Sequence, residues 1–147
     1  MRQTDPETER KRVWLNRYRE SIIKQKRLSE TLQELRSRST SICAPLCSAK
    51  SAPTGTHSDR VADNVQRIAD AEQRLQAEQL RGLEISSEIV NAAFDQLPLQ
   101  YARALIGQYV DFESAEQTAR KIGVRWTSIT QYRRRAIIML KLPEDAP

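Results

Sequence analysis

The sequence has few of the residues that enzymes and β-rich domains depend on. Among 147 residues there are one His, two Cys and four Gly, and aromatic residues make up 5%. We find no glycine-rich phosphate loop, nucleophile elbow or paired metal ligands, so we predict no enzymatic activity and no cofactor. Cys43 and Cys47 form C-x3-C, with His57 ten residues further on. A zinc site needs about four ligands, so we interpret both thiols as incidental and predict no metal site.

Apolar runs are also short. The chain lacks a stretch of eighteen apolar residues, and its first twelve residues lack the apolar segment of a signal peptide, so we expect a cytoplasmic protein without a membrane partner. Charged residues reach 29% and glycine is scarce, which favours helices. The net charge of +5 and a pI near 9.5 favour an anionic partner.

Two long helices are predicted in the first two thirds of the chain, over residues 6–37 and 58–97. A Ser-, Thr- and Pro-rich segment, 38–57, separates them and is predicted to be a loop. Each helix has a narrow apolar seam that needs a partner, so an antiparallel coiled-coil hairpin is expected, and homodimerisation through it is left open. The predicted seam residues are Trp14, Tyr18, Ile22, Leu28, Leu32 and Leu35, then Val61, Val65, Ile68 and Leu75, then Leu80, Leu83, Val90, Phe94 and Leu97 at heptad spacing.

Pro98 marks the predicted boundary between this hairpin, residues 1–97, and a smaller domain, residues 98–142. Helices are predicted there over 99–110, 115–122 and 126–142. The fold class is therefore all-α, a long antiparallel helical hairpin followed by a C-terminal helix-turn-helix domain.

The stretch around the last turn has the spacing A-x3-G-x5-I-x2-Y, formed by Ala119, Gly123, Ile129 and Tyr132. A small residue, a glycine that can adopt positive φ, and inward apolar residues predict two short helices crossing at a tight turn. In a helix-turn-helix the second of these helices enters the DNA major groove. From residue 120 to residue 141 there are seven Lys or Arg and no Asp or Glu, although a merely solvated basic face would look similar.

The candidate DNA-binding residues follow from this arrangement. The cationic side chains are expected to neutralise phosphates, and the exposed start of the second helix to reach base edges. An equal alternative for Trp126 is packing against the turn. The phosphate set is Lys121, Arg125, Arg133 and Arg134, and the base-reading set is Trp126, Thr127, Thr130 and Gln131.

The run from Leu97 to Leu140, LPLQYARALIGQYVDFESAEQTARKIGVRWTSITQYRRRAIIML, resembles region four of primary bacterial sigma factors. The whole chain is similar to small phage and prophage regulators of the RinA and ArpU type. That resemblance implies a nucleoid-associated transcription regulator of bacteria or their phages that binds double-stranded DNA and can contact RNA polymerase. The sequence departs from the family at Arg125, where a serine usually caps the recognition helix. Thr127 or Ser128 is therefore an alternative cap for the predicted helix over 126–142.

A second class of function fits the same architecture. Small terminase-like adaptors for phage DNA packaging also join helix-turn-helix units to coiled coils, and they assemble into large rings. The C-terminal position of the helix-turn-helix favours the regulator over the adaptor.

Overall fold

The computed structural model describes residues 5–46 and 56–146, and these residues form five helices and no strand. The all-α prediction is confirmed. No described helix is long and apolar enough to cross a membrane. The helices are α1 (Pro6–Leu46), α2 (Thr56–Gln96), α3 (Leu99–Tyr109), α4 (Ala115–Ile122) and α5 (Trp126–Met139).

The chain divides into two compact units. One, called here the hairpin unit, comprises residues 21–81, and the other, called the helix-turn-helix unit, comprises residues 1–20 and 82–147. The helix-turn-helix unit is thus larger than the segment after Pro98, because the first turns of α1 and the end of α2 pack into it. Both long helices contribute to both units.

In the hairpin unit, α1 and α2 run antiparallel. Ser21 donates its hydroxyl to the Glu78 carboxylate at 2.9 Å, and Arg36, further along α1, pairs with Glu72, earlier in α2, at 2.6 Å. Leu32 is buried between the helices, as predicted. The predicted seam of α2 is wrong at its start, because the side chains of Val61 and Val65 are exposed.

The predicted loop over 38–57 is partly helical. Helix α1 continues to Leu46, and α2 begins at Thr56. Ser and Thr can satisfy their hydroxyls inside a helix, and Thr40 donates to the carbonyl of Arg36 at 2.9 Å, so a polar composition did not end α1. Cys47 lies outside the described residues, as do the side chains of Cys43 and His57. Elsewhere in the described chain no three His, Cys, Asp or Glu side chains cluster as metal ligands do.

The larger of two hydrophobic cores in the helix-turn-helix unit draws on four helices. Full burial of each large aliphatic side chain stabilises the unit by about 1.5–3 kcal/mol. Its buried members include Trp14 and Leu15 of α1, Ile85 and Ile89 of α2, Leu105 and Tyr109 of α3, and Ile137 of α5 with Leu140 just after it.

The heptad seam predicted for the end of α2 is confirmed at Leu97, which is buried, and is wrong at most of its other residues. Leu83 is 63% exposed and Phe94 is 50% exposed, and Leu80 is exposed as well. The buried face is instead Ile85, Ile89 and Ala93, spaced by four residues, followed by Leu97. Two apolar sets lie side by side on α2, and the other helices of the unit cover only one of them. The other remains a solvent-facing stripe.

Candidate nucleic-acid interface

The turn that positions α5 is built by strong local signals. Ser114 caps α4: its hydroxyl accepts from the Gln117 amide N–H at 3.2 Å, and its own N–H donates to the Gln117 side chain at 2.9 Å. Gly123 ends α4 with φ of 81°, in the left-handed region that favours glycine. Its N–H and that of Val124 both donate to the Ala119 carbonyl. The predicted turn and the predicted bounds of α4 are confirmed.

Helix α5 begins without a side-chain cap. Arg125 occupies the N-cap position, and its carbonyl accepts from the N–H groups of Ser128 and Ile129 at 3.0 and 3.3 Å. The alternative caps, Thr127 and Ser128, lie inside the helix, so the helix start is not shifted. The helix ends at Met139 rather than at residue 142.

The inward side of α5 fixes the orientation of the helix. Ile129 is fully buried with Ala104 of α3 and Ala119 of α4, and the Tyr132 ring packs on the Tyr101 ring with centroids 5.1 Å apart. Ala136 and Ile137 continue this face into the main core. The two alanines let the helices approach closely. Which side of α5 faces solvent is therefore determined by packing.

That exposed side carries most of the predicted contact set. Trp126 is 58% exposed, so it does not pack against the turn. Exposed side chains also include Thr127, Thr130, Gln131 and Arg134, together with Arg125 before the helix. Thr130 donates its hydroxyl to the Trp126 carbonyl at 3.3 Å. These residues form one continuous polar face.

The guanidinium of Arg133, which borders that face, is directed to α3, to α4 and to the loop between them. It donates to the Ala104 carbonyl at 3.1 Å, to the Glu113 carbonyl at 3.2 Å and to the Thr118 hydroxyl at 3.0 Å. Burial lowers the pKa of Arg133, and the Glu113 carboxylate acts against that shift. The side chain ties α5 to α3, to α4 and to the loop between them. Its geometry is that of a structural bridge rather than the phosphate contact predicted from sequence.

Lys121 is exposed but not isolated. Its ammonium group forms an ion pair with the Glu113 carboxylate, and the hydrogen bond to Glu113 raises the pKa of Lys121. Lys121 therefore stays protonated, but Glu113 offsets part of its charge. Glu113 precedes the stretch from residue 120 to residue 141 that contains no Asp or Glu. The count of charges in that stretch therefore did not include the acid that pairs with Lys121.

The loop between α3 and α4 is held against α1. Phe112 has φ of 53°, an uncommon conformation for a bulky residue. Its ring stacks on Tyr18 with centroids 5.7 Å apart and an interplanar angle of 7°, and the Arg19 guanidinium lies 5.2 Å from the ring centroid. These contacts hold Phe112 in that conformation.

A concave surface of about 820 Å³ adjoins the polar face of α5. Thr130 and Arg134 line one side of it, and Thr8 and Arg12 of α1 line the other. Sequence reasoning missed the α1 residues. Residues 1–38 carry eleven basic and six acidic side chains, which indicated an anionic partner but not where this surface would lie.

Comparison of the chain with protein-family models, curated proteins and solved structures finds no match.

Proposed function

We propose that this chain is a sequence-specific, DNA-binding transcription regulator of phage or mobile-element origin. It binds double-stranded DNA in the bacterial cytoplasm, reads the major groove with α5, and is neither an enzyme nor a membrane protein. The hairpin unit serves dimerisation or contact with RNA polymerase.

One observation carries the proposal: the two sides of α5 differ in chemistry. Its apolar side packs on α3 and α4, while its other side presents a tryptophan, two threonines, a glutamine and an arginine to solvent. An α-helix fits the major groove, where Gln pairs with adenine, Thr contacts a thymine methyl and Arg binds phosphate or guanine. An arginine-bearing polar face on a rigidly held helix fits that role.

The exposed stripe at the end of α2 supports the self-association part. Leu83, Val90 and Phe94 recur at heptad spacing, and two of the three are at least half exposed. Heptad-spaced apolar residues pack knobs-into-holes against a second helix. A dimer through this stripe would hold two α5 helices in one complex, as palindromic operators require.

Selection from a random library of double-stranded DNA tests the proposal. The purified wild-type chain is expected to recover one motif. The Gln131→Ala, Arg134→Ala double variant should lose that motif while keeping the wild-type thermal midpoint. The control is Arg103→Ala, which removes an equal charge from an exposed α3 position remote from the polar face, and it should recover the wild-type motif.

Two results would contradict the proposal. Sequence-blind, salt-sensitive binding by the wild type would place specificity outside this chain. A motif that survives in the double variant would place it outside α5. Light scattering separates the regulator from a packaging adaptor, because an adaptor forms a ring-sized assembly and a regulator a monomer or dimer.

A further inference from the structure

Helix α1 is anchored to the end of α5 by one lysine. Lys11 is 6% exposed, and its ammonium group donates to the carbonyl of Ile138 at 3.2 Å and pairs with Glu7 at 2.9 Å. The last carbonyls of a helix lack intrahelical donors and carry partial negative charge, so a cation is stabilising there. Trp14 and Leu15, one turn further along α1, are buried in the same core as Ile137. The start of α1 therefore has a defined position beside α5.

That position places an arginine next to the polar face. Arg12 lines the concave surface together with Thr130 and Arg134, and its side chain is 45% exposed. Arg133 also borders the surface, and Asp5 contributes one negative charge, so the four charged side chains sum to +2. Burial raises the pKa of Tyr109 at this surface, and the charges of Arg12 and Arg133 act against that shift.

Phosphates flank any helix that lies in the DNA major groove, because that groove is about 12 Å wide. Thr8 and Arg12 line the same concave surface as Thr130 and Arg134 of α5. They therefore lie beside the polar face of α5, where the phosphate backbone next to a bound α5 would run.

We infer that Arg12 of α1, with Thr8, forms a second contact to the DNA backbone, separate from the base-reading face of α5. The site takes a phosphodiester group, and the guanidinium and the threonine hydroxyl supply its donors. The inference rests on the proposed DNA-binding function and adds a residue from the opposite end of the sequence. Glu9, which pairs with Arg12 at 3.7 Å, competes with the phosphate for that guanidinium.

The test measures the salt dependence of DNA binding by the full chain. Two duplexes are used, one with the selected motif and one unrelated in sequence. Arg12→Gln is expected to weaken binding to both duplexes by the same factor and to reduce the slope of log affinity against log salt by about 0.9. Between 1 M and 0.1 M salt, the affinity of the wild type should therefore rise about eightfold more than that of the variant. Glu9→Gln should strengthen binding to both duplexes.

Arg10→Gln is the matched control. Arg10 is exposed on the same helix, and two residues of α-helix rotate it by about 200° from Arg12. Its loss removes the same charge but should leave the slope near the wild-type value.

The outcomes are separable. If the wild type binds neither duplex at low salt, both the proposed function and this inference fail. If the wild type binds and Arg12→Gln matches it, only the inference fails. If Arg10→Gln and Arg12→Gln reduce the salt slope equally, the attraction comes from the general positive charge of α1 and not from a site at Arg12. If Arg12→Gln changes the selected motif, Arg12 contacts a base. Either result would overturn the inference as stated.

Discussion

The clearest quantitative prediction concerns Arg133, which sequence reasoning grouped with the phosphate contacts. Arg133→Ala removes three hydrogen bonds and leaves the carbonyls of Ala104 and Glu113 and the hydroxyl of Thr118 without that donor. Bonds from a charged donor contribute about 1.5–3 kcal/mol each when fully buried. Because the guanidinium is only partly buried and water can replace it, we take a smaller value of about 1 kcal/mol for each. The expected loss is about 3 kcal/mol, or about 10 °C in Tm for a chain of this size.

Urea unfolding followed by tryptophan fluorescence measures this loss. Trp14 is buried in the core of the helix-turn-helix unit, and a Trp126→Phe background removes the exposed indole, so the fluorescence change comes from that core. Arg133→Lys should lose most of the same stability, because one ammonium group cannot span three acceptors held in different directions.

Arg134→Ala is the control on the adjacent residue. Arg134 is exposed, so its loss should leave the unfolding midpoint near wild type while weakening DNA binding. Arg133→Ala should do the reverse: it should lower the unfolding midpoint and change DNA affinity much less than Arg134→Ala does, under conditions where the variant is folded. A wild-type midpoint in Arg133→Ala, with affinity reduced as in Arg134→Ala, would refute the bridge and restore Arg133 as a phosphate contact.

Three further predictions concern the same unit. Gly107→Ala should lower stability by about 1–3 kcal/mol in urea unfolding, because a Cβ there would lie 2.7 Å from the Thr118 hydroxyl oxygen; unchanged stability would mean that Thr118 moves freely. Stability should fall as pH rises above about 10, because burial raises the pKa of Tyr109 and the unfolded chain ionises first; Tyr109→Phe should flatten that fall, and an equal fall in both proteins would assign it to other groups. Ser114→Ala should cost about 1 kcal/mol by removing the cap of α4, and Ser114→Gly less, both measured by chemical denaturation; a larger loss with Gly would argue against the cap.

Local signals predicted the C-terminal helices well. Pro98 precedes α3, Ser114 caps α4 and Gly123 ends it, and each acts on its own backbone within a few residues. The exposed face of α5 was predicted for the same reason, because Ile129 and Tyr132 mark its inward side at helical spacing.

Long-range packing explains the failures. Helix α2 carries two apolar sets, and the positions of the helices that pack against it decide that Ile89 is buried while Phe94 is exposed. Arg133 looks like any other member of a basic run until the carbonyl of Ala104 is brought beside it. Arg12 lies more than a hundred residues from Arg134, and no spacing rule relates them.

The contact between Lys11 and Ile138 joins residues 127 positions apart in sequence, and this separation constrains how the chain folds. During synthesis the start of α1 cannot make this contact until the last helix has emerged. The hairpin unit needs only residues 21–81 and can form earlier. Once the hairpin unit has formed, it brings residues 20 and 82 close together, so the chain between them no longer acts as a long flexible loop. Because the entropy cost of loop closure grows with loop length, the cost of joining α1 to the later helices falls. Substitutions in the hairpin unit are therefore expected to slow closure of a core to which they contribute no side chain.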